Sequence, residues 1–122
     1  MRNSIIISGL FLITGIIIYY LFNTFLYKNG LITTFIRNYV PDLFWSISFY
    51  LFTVQLSRKT FKWYKIINSF YVLIIGIVFE LLQLYHLVPG TYDLFDIFIY
   101  ALGIIFANLI EIFMRRIEYE KN

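Results

Sequence analysis

Residues 76–107 read GIVFELLQLYHLVPGTYDLFDIFIYALGIIFA. Two apolar runs flank a Pro89-Gly90 breaker, a pattern that predicts a helical hairpin. Four of the chain's seven acidic residues stand in or just beyond these runs: Glu80, Asp93, Asp96 and Glu111. A carboxylate at lipid depth is expensive, so each needs a partner or a purpose. Glu80 and Gln83 lie one turn apart on the first run. Asp96, Tyr100, Gly103 and Ala107 follow at i, i+4, i+7 and i+11 on the second and share one face. If the helices end at Leu87 and begin at Asp93, Glu80 and Tyr100 both lie about 10 Å below the turn. Gln83 and Asp96 then meet at about 5 Å. The expected product is a two-rung polar ladder, which the rest of the chain must shield. Gly103 and Ala107 are expected to let the two helices approach closely below it.

Composition sets the class around this hairpin. The chain has 122 residues, 61% of them hydrophobic and only 14% charged, with a mean hydropathy of +0.78. A soluble domain of this size has too little interior for that much apolar surface, so an all-α integral membrane protein is expected. The length suits a single domain over 1–122. A formal charge of +3 fits basic loops that orient a membrane protein rather than a nucleic-acid partner. No cysteine is present, which excludes disulfides, thiolate sites and acylated cysteine anchors.

Outward from the hairpin, residues 4–26 carry no charge and are long enough to span a hydrocarbon core of about 30 Å. The run exceeds a signal-peptide core, and no small-x-small site ends it, so it is expected to be retained. Ser8 and Gly15, seven residues apart, mark a packing face on this helix. Residues 31–39 alternate as a short amphipathic helix suited to an interface. Pro41-Asp42 then opens a second spanning helix over about 42–56, with Asp42 at the positive end of its dipole. Asp42, Ser46, Phe49 and Thr53 form a half-polar stripe able to face the ladder. Trp63 and Tyr64 form an aromatic anchor. Helices three and four are expected over about 66–87 and 93–114, with Arg115-Arg116 stopping the last.

Counting Lys and Arg orients the bundle. The N-terminus, the 57–65 loop and the tail together hold eight; the first loop holds two, Lys28 and Arg37. The positive-inside rule puts both termini in the cytoplasm. The expected fold is therefore a four-transmembrane-helix bundle whose helix three–helix four hairpin presents an outward-facing polar cluster. That cluster gathers Glu80, Gln83, Asp96, Asp93, Tyr100, Asp42 and Arg37.

Several chemistries are open to these residues. Asp93-x-x-Asp96 has the spacing of a magnesium-holding pair, yet Asp93 equally suits a helix cap. Neither a metal nor a cofactor is assigned. His86 is a lone histidine at a helix end. No nucleophile elbow or glycine-rich phosphate loop occurs. Glu80 is either glue between helices or the floor of an outward pocket, and spacing alone leaves both open.

At these residues the chain resembles the VanZ-like family of small bacterial membrane proteins. The resemblance rests on Phe79-Glu80-Leu81-Leu82-Gln83, on the run from Gly90 to Asp96, on Gly103 and on Pro41-Asp42. It covers nearly the whole chain, because the family's core is a four-helix unit. The chain departs from the family at Tyr100, where many members carry Asn, and lacks the frequent Arg before Asp96. The resemblance implies a multi-pass protein of the bacterial plasma membrane, linked to the cell envelope and to resistance against teicoplanin-type glycopeptides. It supplies no reaction. The leading functional expectation is a non-enzymatic pocket that binds a lipid or glycopeptide-like ligand. The alternatives are a membrane enzyme acting on a lipid-linked substrate at the outer face, or a small transporter or complex subunit. Membrane lipids are the expected partners, and nucleic acid is not.

The topology is directly testable. A cysteine at Gly90 should react with an impermeant thiol reagent in intact cells, and one at Lys59 should not. Labelling at Lys59 alone would reverse the orientation.

Overall fold

The computed structural model describes residues 2–22, 31–57, 62–89 and 92–121. Four helices follow one another: α1 (Arg2–Tyr20), α2 (Leu31–Ser57), α3 (Tyr64–Leu84) and α4 (Leu94–Lys121). The all-helical expectation holds. Two of the helices, Tyr64–Leu84 and Leu94–Ile117, are long and apolar enough to cross a membrane, while Ser4–Tyr20 is a shorter apolar helix. The expected first helix ran on to residue 26; positions 23–26 lie outside the described residues.

Side-chain contacts fix the arrangement. Tyr50 and Phe49 on α2 reach Asn68 and Tyr71 on α3, so these helices run antiparallel. Tyr39, Ser46 and Tyr50 meet Asp93, Gly103 and Asn108 in the same order, so α2 and α4 run parallel. Helix α1 packs along α2. There Ser8 and Ser48 donate to each other's backbone carbonyls at 2.8 and 2.7 Å. One turn and more along, Gly15 lies against Phe44 and the Pro41 carbonyl. The expected Ser8–Gly15 face is thus the seam between α1 and α2.

The interior is made of small and polar groups as much as of apolar ones. The buried stripe of α3 is Asn68, Val72, Gly76 and Glu80, while Ile66, Phe70, Ile74 and Val78 on the same helix are exposed. Buried Tyr50, Leu51, Val54, Val72, Ile104 and Ala107 form the apolar core. This inversion is the pattern of helices whose outer surroundings are as apolar as their side chains.

Four expectations change at the level of helix ends. The 31–39 and 42–56 segments are one continuous helix, with Pro41 inside it. An interior proline costs about 3 kcal/mol. Tertiary contacts offset it: Phe35 and Tyr39 pack on Phe95 at ring distances of 6.4 and 4.9 Å. Asp42 therefore sits mid-helix and does not cap a dipole. Helix α3 ends at Leu84, before the Pro89-Gly90 breaker. His86 adopts φ 59°, its N–H donates to Gln83 O, and the Leu87 N–H reaches back to Leu82 O. That is a Schellman turn with histidine in the place glycine favours, at a cost of about 1–2 kcal/mol for the left-handed backbone. Helix α4 starts one residue after the expected position and continues past Arg115-Arg116 to Lys121. Charged residues are good helix formers, and Glu111–Arg115 and Arg116–Glu120 pair one turn apart at 3.9 Å each. A run of arginines marks where an apolar surface stops, not where a helix must.

Gly103 faces α2, not α3. A side chain there would collide with the Ser46 hydroxyl and approach Leu43 O to 3.1 Å. The close approach of α3 to α4 instead occurs at Gly76, where a Cβ would lie 2.5 Å from the Tyr100 ring. Gly103→Ala should lower stability by about 1–3 kcal/mol, and adding Ser46→Gly should recover part of it. Thermal unfolding in detergent measures both; no loss in the single variant would contradict this packing.

Candidate functional site

The hairpin end of the bundle brings three helices together around carboxylates. Glu80 is 1% exposed, placed on the inner face of α3 by the four-residue spacing from Gly76 and Val72. Its Oε1 accepts from the Tyr100 hydroxyl at 3.1 Å. Its Oε2 accepts from the Asp93 backbone N–H at 3.1 Å. The first expected rung is therefore present, and Glu80 also holds the start of α4.

Asp93 acts as the cap of α4: its Oδ1 accepts from the Phe95 N–H at 2.9 Å, satisfying one of the orphan donors of the first turn. Its Oδ2 accepts from the Tyr39 hydroxyl at 2.6 Å. In the sequence Tyr39 is only the last residue of the 31–39 segment expected to lie in an interface. The signal for it was weak: one turn of helix separates Tyr39 from Asp42, which becomes visible only once Pro41 is allowed inside the helix.

The second rung does not form. Gln83 is the penultimate residue of α3, and its Nε2 donates to Pro89 O at 3.4 Å. Gln83 Oε1 and Asp96 Oδ1 are both buried without a hydrogen-bond partner among the described residues. Asp96 is only 8% exposed, so it keeps an unused acceptor inside the protein. Asp42 on α2 completes the group: Asp42, Glu80, Asp93 and Asp96 lie near enough for their charges to interact. The side chain of Arg37 lies outside the described residues. No three metal-binding side chains converge on one point among the described residues, so the Asp93–Asp96 pair gains no third ligand.

Asp42 also opens onto a cavity of about 430 Å³ between α1 and α2, which Tyr19, Pro41, Trp45 and Phe79 help to line. Trp45, which lines the same cavity, stacks on Phe49 at 5.3 Å and meets the Tyr100 ring edge-on at 5.7 Å.

A second polar cluster at the opposite end went unrecognised in the sequence. Buried Glu111 accepts from Tyr64 at 3.2 Å and pairs with Lys65 at 3.5 Å and Arg115 at 3.9 Å. Arg115 also donates to the Tyr64 hydroxyl. Between the clusters, Tyr50 donates to Asn108 at 2.5 Å, and Asn108 reaches Ser69 at 3.4 Å. Each of these groups has a partner, which makes them ties between helices. Their signal was a polar residue at each of positions 100, 108, 111 and 115 along α4.

No family model, curated protein or solved structure matches the chain. Function must be argued from the geometry.

The two contacts of Glu80 can be tested separately. Tyr100→Phe removes one hydrogen bond between helices and should cost about 0.6 kcal/mol, and well under about 2. Glu80→Gln can keep its carbonyl on the Asp93 N–H and turn its NH2 to the Tyr100 oxygen, which accepts as well as donates; it also removes the cost of a buried charge, so stability should be unchanged or higher. Equilibrium unfolding in detergent measures both; a loss above about 1 kcal/mol in Glu80→Gln would mean that the carboxylate charge itself holds the hairpin.

Proposed function

We propose that the chain is a multi-pass protein of the bacterial plasma membrane, with four spanning helices and both termini in the cytoplasm. Its hairpin end then faces outward, and the carboxylates there form a pocket that binds a lipid or glycopeptide-like ligand of the cell envelope. This reading keeps the VanZ-like resemblance, and with it a link to glycopeptide resistance, as part of the proposal. Two observations about the surface support the membrane setting. The outward faces of α1, α3 and α4 carry large apolar side chains along their length. The polar groups turn inward and tie helix to helix.

The observation that carries the binding reading is Asp96. A structural carboxylate is expected to end with its oxygens satisfied, because leaving a buried acceptor unpaired costs about 1–3 kcal/mol. Glu80 and Asp93 meet that expectation, and Glu111 Oε2, which accepts no hydrogen bond among the described residues, is paired with Lys65 at 3.5 Å. Asp96 Oδ1 does not, although it stands beside Glu80 and Asp93 at the mouth of the bundle. An acceptor kept unused next to three other acidic groups is suited to a donor brought by a ligand.

Asp96→Asn is the cleaner test, because no hydrogen bond to Oδ1 is lost and volume is conserved. Wild type, Asp96→Asn and Glu80→Gln are expressed in a glycopeptide-susceptible host. Membrane levels and teicoplanin susceptibility are then measured together. The expected result is a normal Asp96→Asn level with protection lost. Full protection by both amide variants at wild-type levels would make the cluster structural. A wild-type protein that gives no protection would remove the glycopeptide link.

A further inference from the structure

The cavity at Asp42 continues along α1. A second cavity of about 460 Å³ is lined by Ile5, Gly9, Phe49 and Phe52, and the two share Leu12 and Trp45. Together they make one groove between α1 and α2, which runs about 21 Å from Tyr19 to Ile5 at the rise of an α-helix. Its walls are aliphatic and aromatic. The hydroxyls of Ser8 and Ser48 are spent on each other and on backbone carbonyls, so the groove offers an occupant little to hydrogen-bond along its length. At Gly9 an added Cβ would meet nothing within 4 Å. The groove is shaped for an extended hydrocarbon chain.

Its two ends differ in charge. The Ile5–Phe52 end is apolar. At the other, Asp42 faces the cavity with no hydrogen bond or ion pair among the described residues, backed by Glu80, Asp93 and Asp96. The ion pairs of the described residues lie on Glu111 and Glu120, at the far end of the bundle. The unused Asp96 oxygen is nine-tenths buried within this acidic group. Because no three ligands converge on a point among the described residues, the arrangement suits a bulky, diffuse positive charge better than a compact metal ion.

We infer that the α1–α2 groove holds one acyl chain of a membrane lipid whose headgroup bears a net positive ammonium charge, set against Asp42. This rests on the proposed membrane reading and names the class of ligand for the same pocket. Phosphate- or carboxylate-terminated amphiphiles would bring like charge to the acidic end and be disfavoured there.

The test uses the full chain in phosphatidylcholine nanodiscs at neutral pH. The probes are hexadecylamine and hexadecanoic acid, each carrying a diazirine near its methyl end, with labelled residues mapped by mass spectrometry. The amine is expected to label the Ile5–Phe52 end, with the acid captured about tenfold less. Asp42→Asn should lower amine capture about tenfold, and Asp42→Glu should restore it. Gly9→Phe, at a position where an added Cβ meets nothing within 4 Å, should block the groove, reducing capture of hexadecylamine but not of a matched octylamine. Helicity and melting temperature are recorded for each variant. Equal capture of amine and acid, or amine capture unchanged in folded Asp42→Asn, overturns the inference. Those results, found together with lost protection in Asp96→Asn, would discard the cationic lipid and keep the pocket. Charge-selective capture with full protection in both amide variants would do the reverse.

Discussion

One carboxylate holds the hairpin together. Glu80 takes a hydrogen bond from the backbone where α4 begins and another from Tyr100 two turns further along. Two contacts to one helix fix its position along the axis and its rotation, which a single contact does not. Gly76 then leaves room for the Tyr100 ring against α3. With α4 placed, its capping residue Asp93 receives Tyr39 and so draws in the start of α2. The order of dependence runs from Glu80 to Asp93 to Tyr39, and the proline inside α2 is tolerated because that chain of contacts continues past it.

The same physical economy governs the whole bundle. In a low-dielectric interior an unpaired polar atom is costly and a paired one gains strength, so most inward groups here are matched across a seam. Ser8 meets Ser48, Tyr50 meets Asn108, and Glu111 meets Tyr64, Lys65 and Arg115. Against that background Asp96 is conspicuous as a carboxylate whose neighbours are acidic. Its environment resembles half of a contact.

Much of the site was legible because helical spacing is a strict rule. Residues four apart share a face, so the sequence alone brings Glu80 and Tyr100 to one depth. The second rung failed because depth was counted from Leu87. The chain leaves the helix at Leu84 through a left-handed histidine, a choice that no proline or glycine announces at that position. Gln83 thereby became a turn residue. Pro41 misled in the opposite direction: a local rule said start, and aromatic packing on Phe95 overrode it. Gly103 was recognised as a close-approach site, but a glycine has no side chain to indicate which neighbour it admits. The groove beside Asp42 was not legible at all, because it is a space between α1 and α2 rather than a property of either.

The mutual hydroxyl contact of Ser8 and Ser48 spans forty positions in the chain. During synthesis from the N-terminus, α1 leaves the ribosome well before the residue it is matched to. Until then its serines have only their own helix to turn to, and its large residues face outward on nearly every side. Helix α2, by contrast, meets α3 and α4 through contacts that involve no residue of α1. Of these four helices, the one made earliest is thus the last one needed by the others. A chain built this way can assemble its three-helix unit first and seat α1 afterwards, and biogenesis factors that shelter a waiting helix would act on that segment.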